Sequence, residues 1–156
     1  MEDKIASVLG AFKEVRKVRD AHPDALLIGT EACEGYLPFA AGPSLGDWGR
    51  GETYGHDILQ DLLAGANGWV DWNLILDGRG GPNWKGNFVD AAMLVDFDQG
   101  KWFIQPMFWY LTSFSMFLPP GSTSLAVSSS SSNPLEASME AAAFAVRLVL
   151  AFCGMP

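Results

Sequence analysis

Cysteine, histidine and cationic side chains are all scarce in this sequence of 156 residues, and each shortage removes a class of function. With only 2 cysteines, Cys33 and Cys153, a disulfide scaffold is excluded; neither sits at metal-ligand spacing from a partner, so both read as ordinary thiols. The 2 histidines make no His-Glu-x-x-His pair. His22, just before Pro23, reads as a helix-end cap, and His56, beside Asp57, as a structural hydrogen-bonding group rather than a metal ligand. Ten Lys and Arg against 18 Asp and Glu leave a net charge of −8 with no basic cluster, which argues against a nucleic-acid partner. No apolar run approaches the roughly 20 residues of a membrane span. The best candidate, Ala141 to Phe152, is interrupted by Arg147. Met1-Glu2-Asp3-Lys4 does not open like a secretory signal, and neither a Gly-x-Gly-x-x-Gly nor a Walker loop occurs, so no cofactor is expected.

What is abundant is apolar and aromatic: 49% hydrophobic residues, with 6 Trp, 3 Tyr and 10 Phe that need a core or a ligand to lie against. Ile5, Val8, Leu9, Phe12, Val15 and Val18 recur at helical spacing, which predicts an amphipathic helix ended by Pro23. Ala25 to Gly29 is a short apolar run expected to be a strand buried on both faces, with Glu31 at its C-terminal end. Gly35 to Gly51 reads as a long loop, Tyr54 to Leu63 as a second helix, and Trp69 to Leu76 as a second buried strand. A turn-rich loop from Asp77 to Asn83 follows, then a short apolar segment from Met93 to Phe97. A third helix opens near Pro106, carries Phe108, Leu111, Phe114 and Leu118 on one face, and is stopped by Pro119-Pro120-Gly121. Helix, strand, helix, strand, helix is the order of an α/β chain built from βα units with parallel strands. Two strands close no barrel, and a (β/α)8 barrel takes about 250 residues, so barrel sequence of this length amounts to a sector of one. After Ser122 the composition changes to a serine tract, Ser128 to Ser132, and an Ala-rich stretch, Met139 to Phe152, that reads equally as a helix or a strand pair.

Three clusters carry candidate chemistry. Glu31 places a carboxylate at the C-terminal end of a strand, where barrel enzymes assemble their sites, although an acidic residue there also serves as a loop or capping group. Glu34, three residues on, is expected to be a solvated loop residue. In Gly68-Trp69-Val70-Asp71-Trp72-Asn73, core packing accounts for Trp69, whereas Trp72 beside Asn and Asp suits a carbohydrate cleft, since sugars offer C–H faces to flat rings and hydroxyls to amides. Gly80-Gly81-Pro82-Asn83-Trp84, with Asn87-Phe88, repeats that chemistry on a loop or else is a rigid turn pinned by a buried Trp84.

These clusters, together with Gly29-Thr30-Glu31-Ala32-Cys33, Gly46-Asp47-Trp48-Gly49-Arg50-Gly51, Tyr54-Gly55-His56-Asp57-Ile58, Asn87-Phe88-Val89-Asp90 and Gln105-Pro106-Met107-Phe108, occur in an order that resembles the glycoside hydrolase family 30 glucosylceramidases, the acid β-glucosidase type. The resemblance spans residues 25 to 121. It implies a partial (β/α)8 TIM barrel, its last two βα units in residues 1–121, followed in 122–156 by a Ser-rich linker and the divergent or truncated start of a β-sandwich-type tail. It also implies that Glu31 is the nucleophile of a retaining β-glucosidase, that Trp72 and Asn87 contact the glucosyl group, and that the substrate is a β-glucoside of ceramide. The family's acid/base glutamate lies in an Asn-Glu-Pro motif that this sequence does not contain, so a missing N-terminal barrel half is expected and the chain alone is expected to be inactive. Tyr36 stands where vertebrate members carry a small residue near the nucleophile. The alternatives are a non-catalytic carbohydrate-binding module and a purely structural fragment. The resemblance implies a lysosomal or secreted, acidic location, to which the sequence itself shows no route.

Overall fold

The computed structural model describes residues 2–127 and 141–146. The Ser128–Ser132 tract, Arg147, Cys153, most of Met139–Phe152 and the side chains of Ile5, Val8 and Leu9 lie outside the described residues. Helix α1, Glu2–Ala21, ends just before Pro23, as its apolar period predicts. Its end is closed by Arg19, whose Nη1 donates to the carbonyls of Pro23 at 2.7 Å and Ala25 at 2.8 Å, while the His22 amide donates to Val18.

Strand β1, Ile28–Ala32, starts three residues later than the apolar run suggests. The cause is local: Asn67 Oδ1 accepts from the Leu27 amide and the Asn67 amide donates to Leu27 O, so a side chain takes the place of a ladder partner there. Nor is β1 buried on both faces. Leu26 is 73% and Ile28 46% exposed, because among the described residues β1 pairs only with β2, Gly68–Asp71. The two strands run parallel, and the crossover that a parallel pair requires is helix α2, Trp48–Ala64. That helix begins inside what the glycines mark as loop, because Asp47 caps it by accepting from the Arg50 amide. It stops at Gly65, whose φ of 103° is the left-handed cap that glycine adopts without strain.

The segment from Trp69 to Leu76 is not one strand. It divides into β2 and β3, Ile75–Asp77, which belong to different sheets. Strand β3 pairs in parallel with β4, Met93–Asp96, and β4 turns back antiparallel into β5, Lys101–Ile104. Strand β5 escapes a periodicity search because it is only four residues long. Its signal is the turn before it, where Asp96 Oδ1 accepts from the amides of Asp98 and Gln99. Helix α3, Pro106–Phe117, packs on α2, and its fully buried residue is Met107, whereas Phe108, Leu111, Phe114 and Leu118 are only half-buried. Strands β6, Thr123–Leu125, and β7, Ala143–Ala145, form an antiparallel pair, so the described part of the Ala-rich stretch is strand. Leu76, Val89, Ala91 and Leu94 form a small core with Cys33 packed against it.

Candidate active site

Glu31 is the penultimate residue of β1. The register there is irregular: Gly29 faces Trp69 and Ala32 faces Asp71, so β1 spends three steps where β2 spends two. An extra residue of this kind bends a strand and re-aims a side chain, and it falls on Thr30-Glu31. Immediately after β2, the Trp72 amide donates both to Ala32 O and to Asp71 Oδ1, each at 2.8 Å, which ties the exit of one strand to the exit of the other.

Glu31, Trp72 and Asn87 all line one cavity of about 510 Å³, which also takes in Glu34, Tyr36, Tyr54, Asp57, Trp69 and Phe88. All three are exposed, Trp72 at 49%, so their polar and aromatic surfaces are available to a ligand. Glu34 corrects its sequence reading: it is 8% exposed rather than solvated, since its loop folds back and its carbonyl accepts from the Asp90 amide at 2.8 Å. Trp84 corrects its own in the other direction, being 95% exposed and absent from the cavity wall. Its turn is pinned by Asp77 Oδ1, which accepts from the Arg79 and Gly81 amides, and by Asn83, which accepts from the Lys85 and Gly86 amides. The bonds to Asp77 hold its carboxyl below the ordinary carboxylate range.

A chain of polar and aromatic contacts runs along the cavity wall through Tyr54, Asp57 and Trp69 and on to Asp71, a connection that the motifs holding these residues do not reveal. Asp57 accepts from the Trp69 indole N–H at 2.7 Å, the Trp69 ring lies edge-on to Tyr54 at 5.1 Å, and the Tyr54 hydroxyl donates to Asp71 Oδ1 at 2.7 Å. Burial, reinforced by the Asp71 charge, pushes the Tyr54 phenol well above its usual value. Burial also raises Asp71 to about 6, although its bonds from Tyr54, Trp72 and Asn73 oppose the shift. Its other oxygen, Oδ2, is buried without a hydrogen-bond partner among the described residues. Cys33 is a thiol whose ionisation is disfavoured first by burial and then by the charges of Glu31, Asp71 and Glu34, so it is a poor nucleophile. The His56 ring lies edge-on to Phe12 at 5.9 Å, a packing role. Among the described residues no group of His, Cys, Asp or Glu is arranged to hold a metal ion, and no helix is long and apolar enough to cross a membrane.

Residues 10–118 match the glycosyl hydrolase family 30 TIM-barrel domain. The chain is 50% identical over 102 residues to the Caenorhabditis elegans protein named "Putative glucosylceramidase 3", covering 65% of this chain and 19% of that one. It is 44% identical over 114 residues to the lysosomal acid glucosylceramidase of Mus musculus, covering 73% and 22%. The chain thus spans about a fifth of the length of the curated relatives it matches. Among solved structures, SrfJ from Salmonella typhimurium superposes with a TM-score of 0.62 at 27% identity, over 71% of this chain and 24% of that one. The endo-β1,6-glucanase BT3312 does so at 0.63 and 22% identity, over 78% and 27%, a likeness of fold alone.

Proposed function

Because the chain belongs to glycosyl hydrolase family 30, we propose that its cavity is the nucleophile side of a retaining β-glucosidase site acting on β-glucosyl ceramide. The observation that carries this reading is that Glu31, Trp72 and Asn87, from three separate stretches of chain, line one cavity. In this reading the ionised Glu31 carboxylate attacks the anomeric carbon as the glycosidic bond breaks, giving a glucosyl ester that water then hydrolyses. Trp72 offers a ring face to the sugar's C–H surface and Asn87 an amide to its hydroxyls.

Retaining hydrolysis needs a second carboxyl group about 5 Å from the nucleophile to protonate the leaving oxygen. The family's Asn-Glu-Pro tripeptide is absent from these 156 residues. Losing general-acid assistance costs roughly 10²- to 10⁴-fold, and the 156-residue chain by itself is proposed not to turn over natural β-glucosides. The open faces of β1 and β2, with Ile28 and Val70 exposed, and exposed Leu26 just before β1, support a site completed by further barrel strands. In the same reading residues 1–121 are a barrel sector, 122–156 a linker and tail, and the setting is lysosomal or another acidic space.

A fluoroglucoside that carries its own good leaving group tests the nucleophile without needing the acid. It is expected to esterify Glu31 in the wild-type chain and to leave Glu31→Gln unlabelled, read by peptide mass spectrometry. Label on any other side chain defeats the assignment. Unlabelled protein that binds a β-glucoside, and loses it on Trp72→Ala, establishes a carbohydrate-binding module instead.

A further inference from the structure

Two stretches of chain line the cavity together with Glu31: the loop 33–47, through Glu34 and Tyr36, and the segment 87–91, through Asn87 and Phe88. We propose that Arg50, Asp90 and Gln105 are positioning residues that lock these two stretches together and so set where Asn87 stands relative to the nucleophile. The inference rests on the glycosidase reading of the cavity; none of the three lines it, so they act only through residues that do.

Asp90 is fully buried, Gln105 is 1% exposed and Arg50 8%. The Arg50 guanidinium donates through Nη1 to Gly42 O at 2.8 Å and to Asp90 Oδ2, and through Nη2 to Ala40 O at 2.8 Å. Asp90 Oδ2 also accepts from the Ser44 amide at 3.1 Å, and its Oδ1 accepts from Gln105 Nε2 at 2.6 Å and from the Ala91 amide at 2.8 Å. Gln105 Nε2 further donates to Ala91 O at 2.7 Å, and its Oε1 accepts from the Gly46 amide at 3.1 Å. Four backbone groups of the loop, at Ala40, Gly42, Ser44 and Gly46, are therefore held by side chains from α2, from the 87–91 segment and from the start of α3. Gly35 shows how closely the loop seats: its φ is +78°, and a Cβ there would lie 2.5 Å from Gly42 O and 2.9 Å from the Asp90 amide. A buried ion pair is weak evidence for stability, because apolar side chains of equal volume hold a fold as well. A rigid fork of five donors does something they cannot, holding several acceptors at fixed mutual positions.

Arg50→Lys keeps the charge and loses the fork, and Gln105→Leu keeps the volume and loses the bonds. Both are measured on the 156-residue chain with the activated fluoroglucoside, following the half-saturating concentration and the limiting rate of Glu31 labelling alongside Tm. Each variant is expected to raise half-saturation about tenfold while the limiting rate changes less than about threefold, the split of a misplaced sugar contact. A lowered Tm with half-saturation unchanged in the labelled fraction overturns the proposal, because a purely structural role gives that outcome. Amide hydrogen exchange decides the coupling independently: Ser44, Gly46 and Asp90 are expected to loosen together in Arg50→Lys, and loosening confined to the loop overturns it. A wild-type chain not labelled at Glu31 removes the glycosidase reading, while the exchange result still stands or falls alone.

Discussion

Trp72 sits half-exposed on the wall of the cavity, so sugar contact and folding separate at this side chain. Trp72→Ala is expected to weaken binding of a β-glucoside by about tenfold in titration calorimetry, with the unfolding free energy shifting by less than about 1 kcal/mol. Asp71 and Asp61 answer to pH. Burial raises each from 3.8 to about 6, the Asp57 charge adding to it at Asp61. Folding therefore retains protons that the unfolded chain releases between those values. Their contribution to stability is fully present below pH 3.8, falls as pH rises, and is lost above about 6; the net charge of −8 pushes the same way. Tm is expected to be higher near pH 4 than at pH 7, and Asp71→Asn, which keeps an acceptor for the Tyr54 hydroxyl, is expected to flatten that slope. A slope in the Asp71→Asn variant equal to the parent's rules out Asp71 as its source. Glu31, Trp72 and Asn87 stand out in the sequence because their neighbours form dense motifs. The burial of Glu34 and Arg50 does not, because the bonds that fix it come from positions such as Asp90 and Gly42, remote or unremarkable along the chain.

Helices α2 and α3 meet through glycines. A Cβ at Gly55 would fall 2.5 Å from the Tyr110 ring and one at Gly51 2.7 Å from Pro106. Alanine at position 55 gains about 1 kcal/mol of helix propensity. It also overpacks a contact at a cost of about 1–3 kcal/mol. Gly55→Ala is therefore expected to destabilise the chain in urea unfolding, whereas Gly49→Ala, whose Cβ meets only Asp47 at 3.4 Å, is expected to stabilise it. Equal effects of the two substitutions remove the α2–α3 contact as their cause. The three helices are legible from apolar spacing, with Pro23 and Pro106 marking an end of α1 and of α3, because breakers act locally; the start of α2 at Trp48 is not, since the glycines around Asp47 read as loop. Where one strand stops and the next begins is not legible either. Trp69 to Leu76 divides because Gly68–Asp71 finds β1 and Ile75–Asp77 finds β4, a choice made by partners in space.

For the molecule as a whole, the chain assayed alone on a β-glucoside with an unactivated alkyl leaving group is expected to give no turnover above background. Turnover abolished by Glu31→Gln overturns that expectation and shows that another carboxylate supplies the proton. The large apolar side chains left open around β1 and β2, Leu26, Ile28, Val70, Leu74 and Ile75 among them, bear on the same point, since a barrel wall buries such residues against neighbouring strands.

The three helices, the family and, through the family resemblance, the three candidate site residues follow from the sequence by itself, because helix periods, breakers and short motifs are encoded within a few residues of one another. Only the tertiary structure decided that Glu31, Trp72 and Asn87 face one cavity, that Glu34 is buried while Trp84 is not, and that Arg50, Asp90 and Gln105 brace the walls. Those outcomes depend on contacts such as Arg50 with Asp90 and Gly46 with Gln105, which join residues 40 and 59 positions apart; no local pattern specifies which distant group will satisfy a buried donor or acceptor.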